Sequence, residues 1–464
     1  MAHAGRRGVL VQDDLTQADF AHHARFAVVS LCLVQFVDVL GVTLVVTTLP
    51  RMLDDVGAPA ALGTLIATGY AMCFGGLLMF GARLGDRFGH RRIILASLGV
   101  FALGATITAI ADSVVWITVG RCLQGAAAAG SVPSALRLLT TVTAEGAPRQ
   151  RAIAAWSAAG AAAGASGFVV GGIVSDLTSW RVIFWGYLPL AAAMAASLVH
   201  SVPADTDADA DRPLNASSAA IFTGCVMAFV VGTTLIPDAS RQLTGLLLIV
   251  LAAGLGVVFV LHDQRSRAPL LPPALLRFGS LREGVFGATL NTATTSSSVT
   301  LVTLYLQNTL GISPLQAAAT LLPFSLAVIV GSSAAAALLR HQRPQLVAAT
   351  GLALIALSNG GYIAAGAFVW AFGVCAALGG AGIGLSSVAT TGLGTSVDIE
   401  WRGTASGMIN TAAQLGTAVG IAVLLLLATA TTGAPSGSAP APAVAWLVAG
   451  LVAAAGAVFF WSRR

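Results

Sequence analysis

A soluble chain of 464 residues would carry roughly a quarter charged residues, but only 9% of this one are charged and 56% are hydrophobic. With a mean hydropathy of +0.85, that balance excludes a soluble globular protein and makes the chain an integral membrane protein. The net charge of +5 does not point to nucleic acid, because every basic residue is an arginine and the arginines are scattered over short loops.

The absence of lysine, with the wealth of Ala and Gly, suggests a GC-rich genome such as an actinobacterium's. Residues 1–25 are polar and mixed in charge, which predicts a cytoplasmic tail with no cleavable signal. Apolar runs follow at roughly 26–49, 60–82, 93–111, 114–136, 152–174, 182–201, 217–236, 242–261, 284–306, 315–338, 345–366, 369–391, 404–428 and 441–461. Each is near the ~20 residues a bilayer needs, so the expectation is an all-α protein of about fourteen transmembrane helices. An even number puts both termini on one side. Arg6, Arg7, Arg25, the arginines of 83–92, Arg137, Arg149, Arg151, Arg265, Arg267, Arg277, Arg282, Arg340, Arg343, Arg402, Arg463 and Arg464 fall there. Only Arg51, Arg181 and Arg241 fall opposite, so the positive-inside rule places both termini in the cytoplasm.

Between the sixth and seventh runs, Asp205, Asp207, Asp209 and Asp211 make an acidic linker. Their spacing invites a calcium-loop reading, but the required Gly and closing Glu are absent. A second cytoplasmic segment, 262–283, holds Pro269, Pro272 and Pro273. Four regions follow: a tail (1–25), an N-terminal six-helix bundle (26–201), the two linkers with an extra hairpin between them (202–283), and a C-terminal six-helix bundle (284–464). Cys32, Cys73, Cys122, Cys225 and Cys375 all fall in apolar runs as small hydrophobes with no metal spacing. No metal and no cofactor is expected.

Ionisable groups inside a membrane are costly and usually functional. Two lie well within a run: Asp38 in the first and Arg121 in the fourth. A buried pair is a poor stabiliser compared with apolar packing, which favours a functional role over a brace. The loop after the second run reads Gly81-Ala82-Arg83-Leu84-Gly85-Asp86-Arg87-Phe88-Gly89-His90-Arg91-Arg92. Gly85 and Gly89 supply freedom for a tight turn, and Asp86 can pair with an arginine or cap a helix.

This order of residues resembles the loop 2–3 signature of the major facilitator superfamily, whose loop latches the inward side closed. Gly81, Gly85, Asp86, Arg87, Gly89, Arg91 and Arg92 are then the gating residues. Arg121-Cys122-Leu123-Gln124-Gly125 resembles the fourth-span signature R-x-x-Q-G, whose arginine is associated with proton coupling. The first span is similar to the pattern L-D-x-T-I-V-N-V-A-L-P, but its aspartate falls on Gly41, and Asp38 lies one helical turn earlier on nearly the same face. Gly160, Gly164, Gly167, Gly171 and Gly172 resemble the antiporter signature ending G-P-x-x-G-G, with Phe168 in place of the proline. Ser179–Phe184 resembles W-R-W-I-F, with Tyr187 where asparagine is usual. Tyr305–Pro314 and Ala405–Gly416 look like the matching stretches of fourteen-span drug antiporters.

The resemblance implies two six-helix bundles with an inserted two-helix hairpin, working as a monomer in the inner cell membrane. It implies efflux of small amphipathic organic molecules, such as drugs, antibiotics or a natural product, driven by protons through alternating access. Asp38 and Arg121 would couple the proton. Gln35, Phe36, Tyr70, Phe74, Gln124, Trp156, Asn291, Asn410 and Gln414 would line the substrate cavity, with Trp185 as a further aromatic. An uptake symporter on the same fold is the alternative. A membrane enzyme would need a nucleophile, a histidine cluster or a soluble domain, so no enzyme is expected.

Overall fold

The computed structural model describes residues 2–59, 62–144, 147–202, 213–236, 238–398, 401–430 and 442–463, without the side chains of 2–24 and of some residues inside α5 and α13. The chain order is α1 (Ala2–Asp55), α2 (Gly63–Phe88), α3 (His90–Ile110), α4 (Val114–Thr141), α5 (Ala147–Leu177), α6 (Arg181–Ser201), α7 (Ala216–Leu235) and α8 (Gln242–Arg265). It continues with α9 (Gly279–Leu304), α10 (Pro314–Leu338), α11 (Pro344–Ala365), α12 (Val369–Gly394), α13 (Arg402–Ala430) and α14 (Ala443–Ser462). The acidic linker and its calcium-loop spacing lie outside the described residues, as does the Phe168 side chain.

Among the described residues, 12 helices are long and apolar enough to cross a membrane, where the runs predict fourteen. The two that fall short are α4 and α9. Helix α4 carries Arg121, Gln124, Ser131 and Ser134, and α9 carries Asn291, Thr294, Thr295, Ser297, Ser298 and Thr300, all buried against other helices. These polar groups lower the apolarity of the segment although they do not face lipid. By contrast, α8 exposes Leu243, Leu247, Val250 and Val257, the surface expected of a helix against acyl chains.

Each half is a bundle. Helix α2 packs on α4, α3 on α4 and α6, and α1 on α5. In the second half α10 and α11 pack on α12, α9 on α13, and α14 on α11. The halves meet where α2 touches α13 and α5 touches α10. Helices α7 and α8 pack on each other, and α7 also lies on α2 and α13. Local signals set the ends: Ser313 and Gln316 form a capping box around Pro314 at the start of α10.

The segment 81–92 is not the loop expected. Helix α2 runs through Gly81, Gly85 and Asp86 to Phe88, and α3 begins at His90. Gly89 alone makes the turn, with φ of 96°. Gly81 and Gly85 are helical and serve packing instead. A Cβ on Gly81 would fall on the Ala129 carbonyl of α4, and one on Gly85 would meet Ser134 and His90.

Candidate functional site

The membrane-embedded charges come together because α2 approaches α4 through small residues. A Cβ on Gly125 would fall on the backbone carbonyl of Tyr70, and one on Gly69 would sit 3.4 Å from Cβ of Arg121. That closeness lays the Tyr70 ring against the Arg121 side chain. The guanidinium carbon lies 4.7 Å from the ring centroid, a cation–π contact. Arg121 is 1% exposed and Asp38 8% exposed.

Asp38 and Arg121 form no ion pair among the described residues. Tyr70 joins them: its hydroxyl donates to Oδ1 of Asp38 while its face carries Arg121. Arg121 spends its donors elsewhere. One terminal nitrogen donates to Oε1 of Gln124 at 2.9 Å and the other to the Gly41 carbonyl at 3.1 Å. Gly41 is where the resemblance puts an aspartate, and here the backbone at that position receives the arginine. The hydroxyl of Tyr187 lies 3.5 Å from where a Cβ on Gly41 would stand. Tyr187 is held by edge-on contacts to Phe101 and Phe184, at 5.1 and 6.1 Å between centroids.

Four of the sequence-predicted residues, Asp38, Arg121, Tyr70 and Gln124, therefore form one assembly rather than a coupling pair beside a cavity lining. Tyr187 is a member the sequence reading did not place there. Its signal was present: Gly41 and Tyr187 both depart from the family pattern, and the structure sets them side by side. The nitrogen Nε2 of Gln124, Nε of Arg121, and the hydroxyls of Thr118 and Tyr187 are buried and make no hydrogen bond among the described residues.

The other predicted cavity residues are dispersed. Phe74 is buried edge-on to Tyr70 at 5.9 Å. Gln35 is half-buried, with its Nε2 3.1 Å from a Cβ placed on Gly160. Phe36 and Trp156 pack into the main apolar core. Asn291 is buried and donates to Oγ of Ser387 at 3.0 Å. Asn410 is exposed and donates to the Ser406 carbonyl. Gln414 packs against Gly75, and Trp185 is 45% exposed on the outer surface.

The glycines of α5 divide between two neighbours. Gly167 and Gly171 admit Thr43, Leu44 and Thr47 of α1, whereas Gly172 admits Ala318 and Pro314 of α10. A Cβ on Gly164 would stand 4.0 Å from both Val39 and Ser325. At the arginine-rich end, Asp86 lies 3.4 Å from Nε2 of His90, and Arg91 donates to the Val199 carbonyl at the end of α6. The cation there faces a helix C-terminus, a favourable pairing. At the other end the halves are linked by Gln307, which donates to the Thr47 carbonyl at 3.1 Å, and by Asp176, which accepts from the Leu315 amide at 3.2 Å.

A family profile described as Major Facilitator Superfamily matches residues 31–421. The chain is 32% identical over 425 residues to the cephamycin export protein of Amycolatopsis lactamdurans, covering 87% of this chain and 84% of that protein. It is 30% identical over 392 residues to the tetracenomycin C resistance and export protein of Streptomyces glaucescens, covering 82% and 72%. The solved structure of the human organic anion transporter MFSD10 superposes with a TM-score of 0.64 at 16% identity, covering 94% of this chain and 99% of that one.

Proposed function

We propose a mechanism from what these matches establish: the chain belongs to the Major Facilitator Superfamily and is an efflux transporter of small molecules, not an enzyme. It exchanges protons for small amphipathic organic molecules, and Asp38 carries the proton. The observation that carries this reading is the buried Asp38–Tyr70–Arg121 assembly shared by α1, α2 and α4. An antiporter needs a group that gains and loses a proton during the cycle, and Asp38 is a carboxylate set deep in a span. Because Tyr70 bonds Asp38 and carries Arg121, a shift of α2 against α4 changes both the carboxylate's partner and its distance from positive charge. Environment of this kind sets proton affinity. A cationic substrate competing for the same carboxylate gives exchange by mutual exclusion, and a single acid favours neutral or monovalent cationic substrates over dications.

The 12-helix apolarity does not exhaust the chain: fourteen spans are proposed, with α4 and α9 crossing inside the bundles and α7–α8 as the inserted hairpin. The arginine-rich end, both termini and the turn at Gly89 lie in the cytoplasm. The links Gln307–Thr47 and Asp176–Leu315 then close the outer side. Reporter fusions after residues 110, 210 and 464 test the topology. The first should report outside and the other two inside; a periplasmic signal at 210 or 464 contradicts it. The glycines of α5 serve as hinge contacts to α1 and α10, and Gln35, Asn410 and Gln414 contribute to the path.

Expression in a bacterium lacking its own efflux pumps tests the function. Cells should accumulate less of at least one antibiotic or monovalent aromatic cation from a panel, and a protonophore should remove the difference. Greater accumulation on expression would support the uptake symporter instead.

A further inference from the structure

Helix α8 ends on a carboxylate that the transport reading does not use. Asp263 is 2% exposed. Its Oδ1 accepts from the Leu270 amide at 2.8 Å and its Oδ2 from the Leu271 amide at 2.9 Å. The same Oδ1 accepts from Nδ2 of Asn215 at 3.0 Å. Asn215 caps α7 in a left-handed conformation and also donates to the Ala268 carbonyl at 3.0 Å. The segment after α8 is thus folded back around Asp263 and tied to the start of α7.

The outward side of this fold receives the end of α2. Arg83 donates to the Ala268 carbonyl at 2.7 Å and to the Pro269 carbonyl at 2.6 Å. The Pro269 carbonyl and the Leu270 amide belong to one planar peptide group. That group has its oxygen on Arg83 and its N–H on Asp263. Its dipole therefore points between a cation and an anion in the orientation both favour. Leu270 completes the contact from below, packed with Phe259 and Ala219 and against Leu77, Met79 and Phe80 of α2. About two turns from Arg83, a Cβ on Gly76 would strike Thr223 of α7. From Pro269 the chain has only until Gly279 to enter α9, a span of at most about 35 Å fully extended.

We propose that Asp263 is a positioning residue for the transport cycle. It shapes the 266–271 linker into a strap that Arg83 grips, so that α7, α8 and the arginine-rich end of α2 move as one body. The strap leads on into α9 within ten residues, so the body that carries the arginine-rich end of α2 is joined directly to the second bundle. The α7–α8 pair is by this account part of the gate. The inference rests on the alternating-access reading, but its first readout needs no substrate, so the two fail separately.

The test uses the full-length protein in nanodiscs, with Asp263→Asn and Arg83→Lys. Asparagine keeps the shape without the charge, and lysine keeps the charge without the two-carbonyl fork. Hydrogen exchange should accelerate at Leu270 and Leu271 in both variants. In both it should also accelerate across residues 84–92, although Asp263 touches none of them. In proteoliposomes with a pH gradient and ethidium as the probe, turnover should fall about tenfold with KM unchanged within twofold. The double variant should be no slower than the slower single one, because both act through the same peptide. Exchange that rises only at Leu270 and Leu271 in Asp263→Asn, leaving 84–92 as in the wild type, would reduce Asp263 to a local cap and overturn the proposal. So would single-variant losses that multiply in the double variant.

Discussion

Asp38→Asn should abolish accumulation of substrate against its gradient while leaving downhill exchange within a few-fold of wild type. Asparagine has the aspartate's shape, and its Oδ1 can still accept the Tyr70 hydroxyl, so the contact among α1, α2 and α4 survives. What it cannot do is bind and release a proton. Proteoliposomes with an imposed pH gradient separate the two activities in one preparation. If the variant still concentrates substrate, Asp38 is not the coupling acid, and attention turns to Asp176 and Glu283 near the span ends.

Arg121→Leu should be worse in two ways. Arg121 donates to Gln124 and to the Gly41 carbonyl and lies on the Tyr70 ring, all inside the protein. Removing it leaves the buried amide oxygen of Gln124 without its donor, takes the second hydrogen bond from the Gly41 carbonyl, and takes the positive charge from beside Asp38. Leaving a buried acceptor without its donor costs about 1–3 kcal/mol. The folded yield should drop accordingly. Arg121→Lys keeps the charge but cannot reach both acceptors at once, because an ammonium is a compact point donor and not a fork. Lysine should therefore recover the yield but not the rate, which stays down about a hundredfold, roughly 2.7 kcal/mol of barrier. Full activity in the lysine variant would show that charge alone matters and that the bonds to Gly41 and Gln124 do not.

Helix number, order and approximate limits were legible because a bilayer demands long apolar runs, and hydropathy reports those directly. The runs at 114–136 and 284–306 do form helices, α4 and α9, but these are the two not apolar enough to count as candidate spans, because they carry polar residues buried against neighbours. The 81–92 segment was legible as a motif but not as a shape. Its glycines suggested a loop, yet Gly81 and Gly85 are helical residues that let α2 touch α4, and only tertiary packing distinguishes the two uses. Asp38 and Arg121 stood out by rarity. The link between them did not, since Tyr70 read as a cavity-lining aromatic and nothing in the sequence sets its hydroxyl on Asp38 and its face on Arg121. Tyr187 and Gly41 were visible as separate departures, and it takes the fold to show that they face each other.

The central claim is that one proton leaves or enters through Asp38 as substrate moves the other way. The direct measurement is proton movement driven by substrate alone, in proteoliposomes holding a pH-sensitive dye and no initial pH gradient. Adding a substrate identified in the export panel to the outside should send it inward and protons outward, so the lumen turns alkaline, and Asp38→Asn vesicles should show no change. A lumen that turns acid, or one that turns alkaline as fast in Asp38→Asn as in wild type, would contradict the account.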